Sequence, residues 1–141
     1  MKAVVQRVSS ARATPGGAIH HGVCILLGIA RDDDLANAER LAGKIARLRI
    51  FENDEGKFDR SLLDVEAAAL VVSQFTLIAD TTKGNRPSFS DAASPEQAEP
   101  LYETFCAALE VLGVAVERGV FGARMTVEIA NDGPVTIVLD V

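Results

Sequence analysis

Leu70-Val71-Val72-Ser73-Gln74-Phe75-Thr76-Leu77-Ile78 begins as an unbroken apolar run and then places three hydrogen-bonding side chains where a core would continue. Side chains alternate along a strand. Read as one strand, Leu70, Val72, Gln74, Thr76 and Ile78 share one face, and Val71, Ser73, Phe75 and Leu77 share the other. A strand apolar on both faces is normally covered on both sides. Ser, Gln and Thr inside it must find partners or cost about 1–3 kcal/mol each. Two readings follow: a satisfied buried network, or a pocket whose missing partner is a substrate.

The chain around this run has 141 residues and 48% hydrophobic content. That is the size of one domain, here 1–141, with enough apolar surface to form a core without staples. No apolar run is long enough for a membrane span. Met1 to Arg7 lacks the h-region of a signal peptide and reads as a first strand. Cys24 and Cys106 lie in apolar patterns and form no CxxC, which suits structural thiols in a reducing cytoplasm. The net charge of −6 argues against a surface that coats nucleic acid broadly, so no DNA partner is expected. A small local basic patch stays compatible with it.

Taken in order, residues 2–9 read as a strand, 10–21 as turn-rich, and 22–30 as a central buried strand. Asp32 or Asp33 can cap the following helix. Its stripe is Leu35, Ala38, Leu41, Ala42, Ile45 and Leu48. A short strand near 49–52 precedes the turn Asn53-Asp54-Glu55-Gly56. Residues 68–78 form the next strand, and a polar loop runs from Asp80 to Asp91. Ser94-Pro95-Glu96-Gln97 starts a second helix, with Ala98, Leu101, Tyr102, Phe105, Cys106 and Leu109 on its apolar face. Three strands close the chain near 114–118, 124–131 and 134–140. Asn131-Asp132-Gly133-Pro134 joins the last two as a turn. Neighbouring strands there should be antiparallel. The fold class is α/β, two helices on a large mixed sheet.

Chemistry is sparsely supplied. His20 and His21 are the only imidazoles and lie in a glycine-rich loop, so a triad is disfavoured. His20, His21 and Cys24 lack a fourth ligand, so no metal is expected. No GxGxxG or P-loop is present, so no nucleotide cofactor is implied. Ser73 and Thr76 have no activating Lys or His close in sequence. An enzyme built on them works by positioning and amide donors. Lys83-Gly84-Asn85-Arg86-Pro87-Ser88-Phe89-Ser90 offers cations, hydroxyls and an aromatic ring, a mixture that suits a phosphate and a stacked base as well as an ordinary surface loop. In Asn131-Asp132-Gly133-Pro134-Val135-Thr136, a proline directly after the Asp-Gly turn restricts the next strand to an edge or bulge.

Together these residues resemble the D-aminoacyl-tRNA deacylases. Ser73-Gln74-Phe75-Thr76 and Asn131-Asp132-Gly133-Pro134-Val135-Thr136 are similar to the family's two motifs, and Val4 to Val8 to its first strand. The 83–90 loop and Gly119-Val120-Phe121-Gly122-Ala123 also match. The segment Arg12 to Gly22 is shorter than the family's hairpin. The resemblance implies a three-layer α/β/β domain, β2-(αβ)2-β3 with a mixed, largely antiparallel sheet, that works as a homodimer without cofactor. The reaction implied is hydrolysis of the ester joining a D-amino acid, or glycine, to the 3′-terminal adenosine of tRNA. Gly133 and Pro134, joined by a cis bond in the family, would enter the partner's pocket and exclude L side chains. Arg7 would hold that loop, with Asn131 and Thr136 in support. Ser73, Gln74 and Thr76 would shape the pocket, and the Phe75 and Thr76 amides would receive the oxyanion. Lys83 and Arg86 would meet tRNA. A nucleophilic Thr76 is the older alternative. Competing classes are a non-catalytic tRNA-end binder and a related editing branch acting on L-alanyl-tRNA, in which no Arg is expected at position 7.

Overall fold

The computed structural model describes residues 1–141. Its first strand, β1 (Lys2–Thr14), is longer than the sequence suggests. A short β2 (Ala18–Ile19) folds back on it, and β3 (Gly22–Gly28) follows. The turn-rich stretch is thus half strand; its tight turn contains a cis Thr14–Pro15 bond. After β3 comes α1 (Leu35–Arg47), and the small hairpin of β4 (Phe51–Glu52) and β5 (Phe58–Arg60) stands apart as its own sheet. Then come β6 (Ala68–Ser73), α2 (Pro95–Val111), β7 (Ala115–Arg118) and β8 (Thr126–Asp140).

The helix caps follow local chemistry. Asp34, rather than Asp32 or Asp33, caps α1, in a reciprocal capping box with Asn37. Asp33 is engaged elsewhere, by the Met1 ammonium at 2.7 Å and the Ala30 N–H at 2.7 Å. Ser94 caps α2 with Pro95 at its first position, as expected.

The main sheet runs β2-β1-β3-β6-β7, with β8 on the free side of β1. Pairings through β1 are antiparallel, while β3–β6 and β6–β7 are parallel. The closing strands are therefore not a meander: β7 pairs with β6, and β8 crosses to β1. The expected antiparallel neighbours do not form at β7 because α2 carries the chain from β6 to β7 as a crossover, which makes that pair parallel.

Three layers result. The helices pack side by side on one face, where Leu41, Ile45, Tyr102 and Phe105 meet Val5, Ile25 and Val71 in a 26-residue core. The Tyr102 hydroxyl donates to the Val71 carbonyl at 2.8 Å, satisfying a polar group that burial would otherwise penalise. On the other face, β1 bends at two register shifts near Val8. Its distal half lies over the sheet, so Val8, Ala11, Ala13 and Ile19 pack on Cys24, Leu70 and Val72. Both cysteines are buried and free. No helix is long and apolar enough to cross a membrane.

Candidate active site

Ser73 ends β6 opposite Leu27 of β3, and the Gln74 N–H closes that ladder on the Leu27 carbonyl at 2.8 Å. The strand stops there. Phe75–Ile78 form a single 3-10 turn, not the continuation of the strand. The alternation of faces assigned to residues 74–78 therefore does not hold. The turn lies flat on β3 because Gly28 has no side chain: a Cβ there would sit 2.9 Å from the Leu77 Cβ and 3.1 Å from the Gln74 carbonyl oxygen.

This corrects the buried-network reading. Ser73 and Gln74 are half-buried, and Phe75 and Thr76 are exposed. The Gln74 side-chain amide donates to the Thr76 hydroxyl. That bond occupies a lone pair of Thr76 and removes no proton, so it does not activate the hydroxyl. The N–H groups of Phe75 and Thr76 open the turn, where no intrahelical acceptor exists for them, and Gln74 supplies no side-chain cap.

Ser73, Gln74 and Phe75 line a cleft of about 560 Å³ together with Phe89, Phe121 and Met125. Phe75 meets Phe89 edge-to-face with ring centroids 5.0 Å apart. Phe89 leaves the polar loop just past a two-way bridge between the main chains of Asp80 and Ser88, both bonds 2.8 Å. Inside that loop the Thr82 N–H and hydroxyl bond the Asp80 carboxylate and hold its pKa below the usual range. Lys83 and Arg86 lie in the same loop and are exposed. Gly28 and Met125 carry no signal in the sequence; their roles depend on tertiary neighbours.

The second motif is not a turn between two strands. Both its flanks pair with β1: Gln6 faces Thr136 and Val8 faces Asn131. Residues 132–135 therefore stand opposite Arg7 alone, as a bulged loop on an edge strand. Asn131 and Thr136 are the last paired residues on either side. Val135 turns inward and is 9% exposed. Gly133 has φ +124°, and its bond to Pro134 is cis.

Arg7 fixes this loop. It is 5% exposed. Its Nε donates to the Asp132 carbonyl at 3.2 Å and lies 3.4 Å from the Asp132 carboxylate. One terminal nitrogen donates to the Ile50 carbonyl at 2.8 Å, and the other reaches Glu52 at 3.5 Å. Phe58 lies under the guanidinium, 5.7 Å from carbon to ring centroid.

Within one chain the two motifs stay apart. Arg7 is aligned with Val23 and Ala69, four residues before Ser73 along β6. At about 3.3 Å per residue that is about 13 Å along the strands, before the lateral offset of β1 and β3 is counted.

Residues 4–140 match the family model described as D-Tyr-tRNA(Tyr) deacylase. A D-aminoacyl-tRNA deacylase of Roseiflexus sp. (strain RS-1) is 60% identical over 144 residues, covering 99% of this chain and 93% of that protein. One from Deinococcus radiodurans is 52% identical, with 100% of each chain covered. A solved structure titled "c-Myc DNA Unwinding Element Binding Protein" superposes with TM-score 0.93 at 44% identity, covering 100% of this chain and 99% of that one. A second, titled "Structural Analysis of a probable eukaryotic D-amino acid tRNA deacylase", has TM-score 0.81 at 19% identity over 99% and 98%, a likeness of fold alone.

Proposed function

The chain belongs to the D-Tyr-tRNA(Tyr) deacylase family and is a hydrolase of D-aminoacyl-tRNA, and from that premise we propose that it judges handedness across a homodimer. The Gly133–Pro134 loop of one protomer enters the cleft at Ser73–Thr76 of its neighbour. Its main chain stands where an L side chain would project, so L-aminoacyl esters are rejected while D-amino acids and glycine are admitted. The observation that carries this reading is the pairing of a loop locked by Arg7 with an open cleft out of its reach in the same chain.

In the cleft, Phe75 and Phe89 receive the terminal adenine, and Ser73, Gln74 and Thr76 position the ester. Water adds to the ester carbonyl carbon. The developing oxyanion is received by the Phe75 and Thr76 N–H groups. The carbon–oxygen bond to ribose breaks as the leaving oxygen gains a proton, relayed by the adjacent 2′-hydroxyl of the tRNA. Asn131 and Thr136 pin the ends of the loop, and Lys83 and Arg86 meet phosphates near the 3′ end. The chain acts as one domain, 1–141, in the cytoplasm where tRNA is charged.

The test is release of amino acid from D-Tyr-tRNA, L-Tyr-tRNA and Gly-tRNA by the purified protein. We expect the first and third to be hydrolysed and the second to survive. Tight binding of all three without release would favour a non-catalytic binder. The solved relative whose title names a DNA element makes duplex DNA a fitting control; with a net charge of −6, weak binding is expected.

A further inference from the structure

Around the end of α1 the acidic chain reverses its sign. Between Leu35 and Ile50 stand Arg40, Lys44, Arg47 and Arg49, against one carboxylate, Glu39. All four cations are exposed and line one groove of about 630 Å³ with Glu39, Gly43 and Leu48, four positive charges against one negative. Arg40 and Lys44 make no ion pair. Arg47 bonds only the Gly43 carbonyl of its own helix, at 3.1 Å, and Arg49 is held by Asp59. The helix dipole accounts for cations in the last turn, Lys44 and Arg47. It does not account for Arg40 one turn earlier. Residues 40, 44 and 47 share one helix face, at successive rises of about 6 Å and about 4.5 Å along the axis, a scale that long flexible cations can match to neighbouring phosphates of one strand.

The groove also has a definite address. Arg49 leads into Ile50, whose carbonyl accepts from Arg7, and Arg7 holds the Asp132 carbonyl. The Arg47–Arg49 end of the basic groove therefore lies beside the strand that the Gly133–Pro134 loop is tied to, with Lys44 and Arg40 leading away from it along α1. We propose that Arg40, Lys44 and Arg47 form a docking track for the phosphodiester backbone of tRNA, away from its 3′ end. This rests on the deacylase reading: when the loop enters the partner's cleft, the track flanks the mouth of that cleft and holds the acceptor stem of the substrate bound there. Recognition is by charge and carries no base sequence.

The test compares wild type with the triple variant R40Q/K44Q/R47Q on two substrates and one ligand. For D-Tyr-tRNA, the KM of the variant should rise about tenfold with kcat unchanged. For 2′(3′)-O-D-tyrosyl-adenosine, which has no stem, kcat/KM should not change, and this also shows that the variant is folded. For deacylated tRNA, the slope of log affinity against log salt should become shallower by about 2–3, as expected when three phosphate contacts are lost. Unchanged KM and unchanged salt slope would overturn the track, as would equal losses on both substrates. A wild type that binds tRNA through these cations yet releases no amino acid would overturn the deacylase reading and leave the track standing.

Discussion

The loop at Gly133–Pro134 and the turn at Phe75–Ile78 both break the regular course of a strand, but the chain treats them in opposite ways. The loop is tied from inside by a buried guanidinium on two carbonyls, by Val135 in the core and by paired residues on both flanks. The turn has one side-chain bond of its own, Gln74 to Thr76, and leaves an exposed ring and unpaired N–H groups beside a cleft. A segment that must exclude a ligand needs a fixed shape. A segment that must receive one keeps its donors free. Substitutions in the loop should therefore cost stability as well as selectivity, and those in the turn should cost turnover alone.

The largest effect is expected at Arg7. Arg7→Ala strands the Ile50 and Asp132 carbonyls and removes the tie between loop and hairpin. We expect a loss of about 2–4 kcal/mol in denaturant unfolding, together with measurable release of L-Tyr from tRNA. Unchanged discrimination would remove Arg7 from its supporting role. Next is Gly133→Ala. The added Cβ would meet Val135 Cγ2 at 2.9 Å and an Arg7 nitrogen at 3.1 Å, at a φ that L residues avoid. A cost of about 1–3 kcal/mol follows, again with leakage of L substrate.

In the turn, Gln74→Ala should reduce turnover about tenfold or more while moving the unfolding midpoint by less than about 0.5 kcal/mol. Thr76→Ala should be milder, because the hydroxyl has no base. Loss of essentially all activity in that variant alone would restore a covalent role for Thr76.

The smallest effect at neutral pH belongs to the thiols. Burial pushes Cys24 up to about 11 and Cys106 up to about 12. Both values lie above the ordinary thiol value of 9.0. The folded state thus holds protons that the unfolded state releases, so this contribution is complete below about pH 9 and declines as pH rises toward 11–12. Unfolding midpoints measured across that window should fall, and alkylation at neutral pH should be slow.

How much of this was legible in the sequence differs between the two regions for a physical reason. The helices and β3 are written in periodicity, and the start of α2 in its Ser94-Pro95 cap, all of them local signals; the three-layer order comes from the resemblance. The stop at Ser73 is not, because it depends on Gly28 of a neighbouring strand leaving room for the turn. Leu77 and Ile78 continue the apolar pattern, and only that contact shows the chain coiling. Asp132-Gly133 reads as a hairpin turn by its residues, yet both flanks bond the same partner, a fact carried by β1. Arg7 could be singled out only by resemblance. Its acceptors, Ile50 and Asp132, are 43 and 125 residues away.

The account depends on the loop acting in the neighbour's cleft, and mixed dimers test that directly. Gly133→Ala protein, whose cleft is intact, should leak L-Tyr release; Gln74→Ala protein keeps a native loop beside an impaired cleft. With excess Gln74→Ala chain exchanged into the Gly133→Ala dimers, L-Tyr release per working cleft should fall to the wild-type level while D-Tyr release persists. If L-Tyr release per working cleft stays unchanged as the partner is replaced, the loop serves its own chain and the account is wrong.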